Sequence, residues 1–250
     1  LGANNSRDGA TVISGGTLQV GAGGSTGSWG SSNVSVPTGA TLAFDRNNEL
    51  MVTQQISGSG TVKQAGSGTL IFSGNKSYTG ATVIQNGTLR LVDNNPLRAS
   101  SGYSGAGALE IVPSGTSFGS AISVSDWAID ASLGGLTIGK PDNTAEIVID
   151  TAIDIAGALS LYSSAISLGN NVTTAGGQLY NGAVTLTTSP TLTATTGTIE
   201  FGGAVGDDAG DTARNLTVLA NSGGTNAIAV NADFDLDGSV TMRGPVTLAG

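Results

Sequence analysis

The sequence contains neither cysteine nor histidine. Those absences exclude a disulfide framework, a thiolate or imidazole zinc site, a cysteine nucleophile and a Ser-His-Asp triad. Cationic residues are scarce too: 9 Lys and Arg stand against 18 Asp and Glu, for a net charge of −9. Nucleic-acid binding rests on neutralising phosphates, and so few cations cannot build the patch it needs. Attraction to anionic lipid fails for the same reason. No apolar run approaches the ~18 residues that a membrane-spanning helix requires. No signal peptide is recognisable and Leu1 stands where a start Met would, so the expectation is an internal segment or a processed product of something larger. Aromatics supply only 4% of the chain, which argues against cores built on large rings.

What is abundant is glycine, 40 of 250 residues, set among Thr, Ser and apolar side chains. The apolar residues are patterned, so the composition is not that of a disordered chain. Glycine keeps no strict period of three, so it is not collagen. Phrases such as "TLQV", "TLIF", "TLRLV", "LEIV", "EIVID", "LSLY" and "VTLTT" alternate apolar and polar positions. Each reads as a strand of roughly three to five residues. No stretch keeps a helical period; "DNNPLRAS" around Pro96 is the best candidate for one helical turn, with a loop as the alternative.

The phrase "ATVISGGTLQV" (Ala10 to Val20) returns almost unchanged as "ATVIQNGTLRL" (Ala81 to Leu91). Related frames put apolar anchors at Leu18, Leu42, Val62, Leu89 and Leu109, with several gaps near 20 residues, and later ones at Ile166, Val184, Ile199 and Leu216. Short strands recurring at ~20 residues are the mark of a solenoid, in which no coil buries its inward side chains alone. A string of antiparallel sandwiches is the competitor, but it calls for buried aromatics and longer strands. The expected fold is all-β, a β-solenoid with coils of about 20 residues. One continuous solenoid is expected over residues 1–250, with a Gly-Thr-Leu part at 1–93, an irregular loop-containing part at 94–135 and a Thr-Ala-Val-rich part at 136–250.

The stretch "GSGTVKQAGSGTLIFSGNKSYTGATVIQNGTLRLVD", from Gly58 to Asp93, resembles the passenger-associated repeat of bacterial autotransporters. Gly58, Gly60, Val62, Gly66, Gly68, Thr69, Leu70, Phe72, Gly74, Asn75, Tyr78, Gly80, Thr82, Gly87, Thr88, Leu89 and Leu91 fall on its pattern, while Gln64 stands where the family usually has Lys. "ATVISGGTLQV" resembles the tail of an earlier copy. "YNGAVTLTTSPTLTATTGTIEFGGAV" (Tyr180 to Val205), followed by "RNLTVLANSGGTNAIAV", is similar to the repeats of large haemagglutinin-like surface proteins. These resemblances imply a right-handed parallel β-helix, exported and displayed on the bacterial surface. They imply a non-enzymatic role in adhesion, aggregation or matrix and fibre formation. Partners would be other copies, a host or neighbouring cell surface, or a glycan, with homo-oligomer or fibre assembly left open. Lack of Cys suits a chain that must cross a narrow pore unfolded. Two other readings stand beside this one: a polysaccharide-active β-helix enzyme and a self-assembling sheath or filament subunit.

No catalytic, cofactor or metal residue is assigned, and no cofactor is expected. "ADFDLDGS" gives Asp233, Asp235 and Asp237 the spacing of a calcium loop, but Gly244 stands where that loop needs a bidentate Glu. A half-buried strand with a solvated acidic face explains the same pattern, and weak divalent binding stays open. "GDDAGD" (Asp207, Asp208 and Asp211) reads as an acidic turn. Asp126 and Asp130 flank Trp127, the only arrangement that suggests glycosidic chemistry; Trp127 also reads as a core or loop anchor. Trp29 in "GSTGSWGSSN" is either an exposed contact residue or a lid on the end of the tube. "GAGGSTGSWGSSN" lacks the Lys and the helix of a phosphate-cradling loop. The loops at Gly21–Asn33, Asn94–Gly107 and Gly206–Arg214 are the candidate binding segments.

Overall fold

The computed structural model describes residues 1–74, 76–92, 97, 99–208, 213–220, 228–231 and 233–248. The described chain is all-β except for one 3-10 turn at Val124–Asp126. It divides into two compact units: unit 1 comprises Leu1–Val112 and Trp127–Gly134, and unit 2 comprises Pro113–Asp126 and Gly135–Gly250. Each is a stack of parallel coils, a β-solenoid, as the alternation and the ~20-residue recurrence predict.

Unit 1 is built on three faces. The first holds Thr11–Val12, Val34–Ser35 and Ile56–Ser57. The second holds Gly16–Val20, Ala40–Phe44, Thr61–Gln64, Thr82–Ile84 and Tyr103–Ser104. The third holds Leu50–Val52, Thr69–Ser73, Thr88–Val92 and Ala108–Val112. All of these pairings are parallel, so like positions lie above one another. On the third face Leu50, Leu70, Leu89 and Leu109 form one inward column, advancing by 20, 19 and 20 residues. Leu89 and Leu109 are fully buried, and each such side chain contributes about 1.5–3 kcal/mol by leaving water.

The structure separates anchors that the sequence groups together. Leu18, Leu42 and Val62 share a column on the second face, whereas Leu89 and Leu109 stand on the third. The twin phrases are likewise offset by one face. "ATVISGGTLQV" turns the corner from the first face to the second, while "ATVIQNGTLRL" turns from the second to the third. The phrase specifies strand, corner, strand, and not a fixed side of the tube.

Unit 2 also has three faces, but two of its strands are longer than the alternation suggests. Ala158–Leu168 and Gln178–Leu186 each run through a corner without a break, with a register irregularity between Tyr162 and Ala165. Their first halves continue into Ile199–Phe201, Ile228–Val230 and Val246–Leu248. Their second halves pair with Ile147–Ile149 and Val205–Asp207. The third face stacks Ile153–Ile155, Val172–Thr174, Thr191–Ala194, Leu216–Ala220 and Val240–Arg243.

The few aromatic residues are concentrated inside. In unit 1 Phe44 meets Trp29 and Phe72 edge-on, with ring centroids 5.7 and 5.9 Å away. In unit 2 Tyr180 stacks on Phe201 at 5.3 Å, and Phe201 meets Phe234 at 5.5 Å. Such contacts add about 0.5–1.5 kcal/mol each beyond the area they bury. The helical turn expected around Pro96 falls largely outside the described residues.

The corner crossed by Gln178–Leu186 depends on Gly182. Its φ is +151°, and a Cβ there would lie 1.7 Å from the Ser163 carbonyl oxygen of the neighbouring coil. Replacing Gly182 with Ala forces that coil away, so thermal unfolding of G182A is expected to show a loss on the order of 2 kcal/mol or more. The control G15A, at a position where a Cβ meets nothing within 4 Å, is expected to change stability by less than ~0.5 kcal/mol.

Candidate functional site

The loop Gly21–Asn33 is folded onto its neighbours and does not project. Gly23 N–H bonds the Asp45 carbonyl and Asn47 N–H bonds the Gly24 carbonyl, at 2.9 and 3.1 Å. The Arg46 guanidinium donates to the carbonyls of Gly27 and Ser25, while its Nε reaches Asn48 Oδ1. Trp29, 4% exposed, turns inward onto Phe44 and donates Nε1–H to the Ser32 carbonyl. It lines a cavity of about 330 Å³ together with Leu1, Thr11 and Leu18, and its burial sets aside the reading as an exposed contact residue.

The second loop candidate, Asn94–Gly107, lies partly outside the described residues. Its described part is anchored: Tyr103 is fully buried and its hydroxyl donates to the Leu97 carbonyl at 2.6 Å. Tyr78, Thr82 and Ser100 form a buried hydroxyl chain, with links of 2.7 and 2.9 Å. Residues 209–212 of the third loop, Asp211 among them, also lie outside. Its ends are clasped by Arg214, whose Nε and Nη2 fork onto the two Asp208 oxygens at 3.0 and 3.2 Å. That hydrogen bonding holds the Asp208 carboxyl below the usual carboxylate range.

Trp127 is buried, in agreement with its reading as an anchor. Asp126 ends the 3-10 turn of unit 2, and Asp130 belongs to unit 1. Asp130 Oδ1 accepts the Ser132 hydroxyl at 2.5 Å and the Ser132 N–H at 2.9 Å. These bonds lower its pKa. A general acid for glycosidic cleavage needs a shift the other way, so this carboxylate acts as a turn cap. Asp233, Asp235 and Asp237 are exposed and alternate with the half-buried Phe234 and Leu236. Asp237 N–H bonds the Asp207 carboxylate, and Asp235 sits in register with Gly206. Among the described residues, no group of three or more acids is placed to hold a metal ion.

Several important polar residues escape a reading of the sequence. Gln64 and Gln178 occupy inward columns. Gln64 Nε2 donates to the carbonyls of Gly66 and Gly68, two acceptors that a Lys ammonium at this position of the repeat can also use. Gln178 donates to the carbonyls of Val172 and Thr193 and to Thr174 Oγ1, and accepts the Tyr180 hydroxyl. Asn33, Asn171 and Asn215 each accept the backbone N–H of a residue one coil on, from Gln55, Thr191 and Ser239. All three begin Asn-x-Ser/Thr triplets, a pattern that arises here because a corner cap precedes an inward apolar residue and an outward hydroxyl. The charge is also unevenly divided: unit 1 holds six basic and six acidic residues, unit 2 holds three and twelve, so the whole −9 falls in unit 2.

Residues 1–20 and 62–91 match the family model described as passenger-associated-transport-repeat. The second stretch lies within the segment whose residues resemble the autotransporter passenger repeat, and the first ends on its twin phrase. No curated protein and no solved structure matches the chain. In repeat and in fold, the chain is similar to the passengers of bacterial autotransporters.

Lys76 is a buried cationic side chain. It aligns with the buried Ile56, is 6% exposed, donates to the Ser73 carbonyl and lies 5.4 Å from the Phe72 ring centre. Burial lowers its pKa from 10.5 to about 8. Because the folded value lies below the unfolded one, the unfolded chain holds the extra proton between them. Stability attributable to this site therefore rises as pH increases from about 8 to 10.5 and is lost as pH falls through about 8. Denaturant melts of wild type and K76M across that window are expected to show the rise in wild type and its absence in K76M.

Proposed function

We propose that the chain is part of a non-enzymatic passenger of the autotransporter type, exported and displayed on the bacterial surface. Its stacked coils serve as a scaffold for adhesion, aggregation or matrix formation. One observation carries this reading. The repeat matched at 62–91 is laid down over two successive coils, Thr61–Gln64 and Thr69–Ser73 beneath Thr82–Ile84 and Thr88–Val92, with parallel pairing throughout. A segment whose sequence repeat is also its structural repeat can be lengthened coil by coil. The absence of Cys supports export through a narrow pore without cross-links. The acidic unit 2 disfavours phosphate backbones and anionic lipid, and directs attention to glycans, protein surfaces or further copies as partners. Many weak contacts along such a scaffold sum through effective concentration. Against the polysaccharide-active alternative stands the engagement of Asp130 in a turn.

The test is to express the whole gene product and probe intact cells with antibody against this segment. Surface labelling that protease treatment of intact cells removes is the expected result. Deletion of residues 1–250 should then reduce cell–cell aggregation or binding to host or glycan surfaces, and the purified chain should release no reducing ends from polysaccharides. Confinement of the segment to the cell interior, or sugar cleavage that D126N and D130N abolish, would contradict the proposal.

A further inference from the structure

The inward positions of a solenoid are taken up by its own core, so recognition by unit 2 falls to the outward ones. One face of unit 2 stacks Gly135–Gly139, Ala158–Leu168, Gln178–Leu186 and Ile199–Phe201 in parallel register. Alternation along these strands leaves two outward columns. Thr137, Ser160, Leu179 and Glu200 align in the first. Gly139, Tyr162 and Asn181 align in the second.

Tyr162 differs from every other tyrosine of the chain. Tyr78, Tyr103 and Tyr180 are fully buried, and their hydroxyls bond Thr82, the Leu97 carbonyl and Gln178. Tyr162 faces outward and is partly exposed, and among the described residues its hydroxyl has no partner. Core packing does not require a ring at this position. The backbone that carries it is nonetheless held firmly. Asn143 Nδ2 donates to the Tyr162 carbonyl at 3.1 Å, and the Ser163 hydroxyl bonds the carbonyls of Ala145 and Ala165 at 2.7 and 2.8 Å. Gly139 and Asn181 are its column neighbours, so no bulky side chain lies next to it in register. Asn181 is exposed, and its amide also has no partner among the described residues. Glu200 accepts Asn231 Nδ2 on Oε1 at 3.0 Å and keeps its second oxygen as an acceptor.

We propose that this outward strip of unit 2 binds a neutral glycan, with Tyr162 stacked on the C–H face of one sugar ring and Ser160, Asn181 and Glu200 meeting its hydroxyls. A tyrosine ring offers a rigid apolar surface with a polar tip, which suits a ligand that is apolar on one face and hydroxylated at its rim. Sugar hydroxyls both donate and accept; the Asn181 amide does both, and the Glu200 carboxylate accepts. Charge selects a neutral ligand. The whole −9 falls in unit 2 and the strip carries no cation, so sulfated, carboxylated or phosphorylated chains are repelled. A peptide is disfavoured for another reason. It would add to an open strand edge, and Ala158–Leu168 and Gln178–Leu186 are paired on both sides. One ring with three polar groups makes a weak site, which many displayed copies strengthen by avidity. The inference rests on the reading of the chain as a surface-displayed binder and names the ligand class and the residues.

The test is affinity electrophoresis of the whole chain in gels containing soluble dextran, galactomannan or xyloglucan, with heparin as the acidic comparison. Retardation by at least one neutral polymer and none by heparin is the expected result. In the retarding polymer Y162A should bind about tenfold more weakly while its melting temperature stays that of wild type. Y162F, which keeps the ring, should bind more tightly than Y162A, and N181A should bind more weakly than wild type. Retardation by none of the neutral polymers, equal retardation by heparin, or Y162A binding as tightly as wild type would overturn the proposal. Its failure is separable from that of the surface-display reading: a chain that labels on intact cells and still fails these gels contradicts the glycan site alone.

Discussion

The parallel hydrogen-bonded step from one coil to the next is the interaction on which everything else depends. A strand of two to five residues has too little apolar surface to fold alone, and a coil of three such strands cannot close a core. Stacking solves both problems at once. Backbone groups find partners in the coils above and below, and inward side chains form columns such as Leu50, Leu70, Leu89 and Leu109. Each column excludes water only while its neighbours remain in register. Because a slip of one residue would turn every inward side chain outward, the register is held by burial as well as by the corners.

The corners explain the composition. The chain must turn three times per coil, and each turn passes close to the turn below it. Gly182 cannot carry a side chain for that reason, and Gly27, at φ +121° with Gly21 N only 2.4 Å from a would-be Cβ, is constrained in the same way. Polar residues complete the corners. Asn33, Asn171 and Asn215 reach across to backbone N–H groups one coil on, and Arg46 ties the Gly-Ser segment down through two carbonyls. Polar groups inside the tube are matched in the same way: Gln64 and Gln178 find carbonyls that a purely apolar column would leave without donors.

The fold class was legible because alternation and a ~20-residue recurrence are properties of the sequence itself. The assignment of anchors to faces was not. "ATVI" followed by "GTL" is compatible with any corner, so the twins at Ala10 and Ala81 look equivalent and yet occupy different sides of the tube. Only long-range pairing distinguishes them. Within Ala158–Leu168 the alternation marks "LSLY" as a short strand; the structure carries that strand on to Leu168, with Ser163 bonding the carbonyls of Ala145 and Ala165 where it bends. Lys76 lies in the polar run "GNKSY", which reads as exposed, and its burial follows from alignment with Ile56 rather than from any local signal. Loops fared worst. Gly21–Asn33 has the composition of a projecting segment but is packed by contacts 19 and 21 residues away in sequence.

Register itself can be measured with unusual clarity, since the chain has no native Cys to compete. Thr173 and Thr193 face outward on adjacent coils and are direct partners, as are Thr41 and Thr61. Neighbouring strands lie about 4.8 Å apart, within the Cα range over which a disulfide closes. The account predicts that T173C/T193C and T41C/T61C each form an intramolecular disulfide under mild oxidation without loss of structure, and that T173C/L192C, one residue out of register, does not. Failure of both in-register pairs to close, or equal closure of the slipped pair, would contradict it.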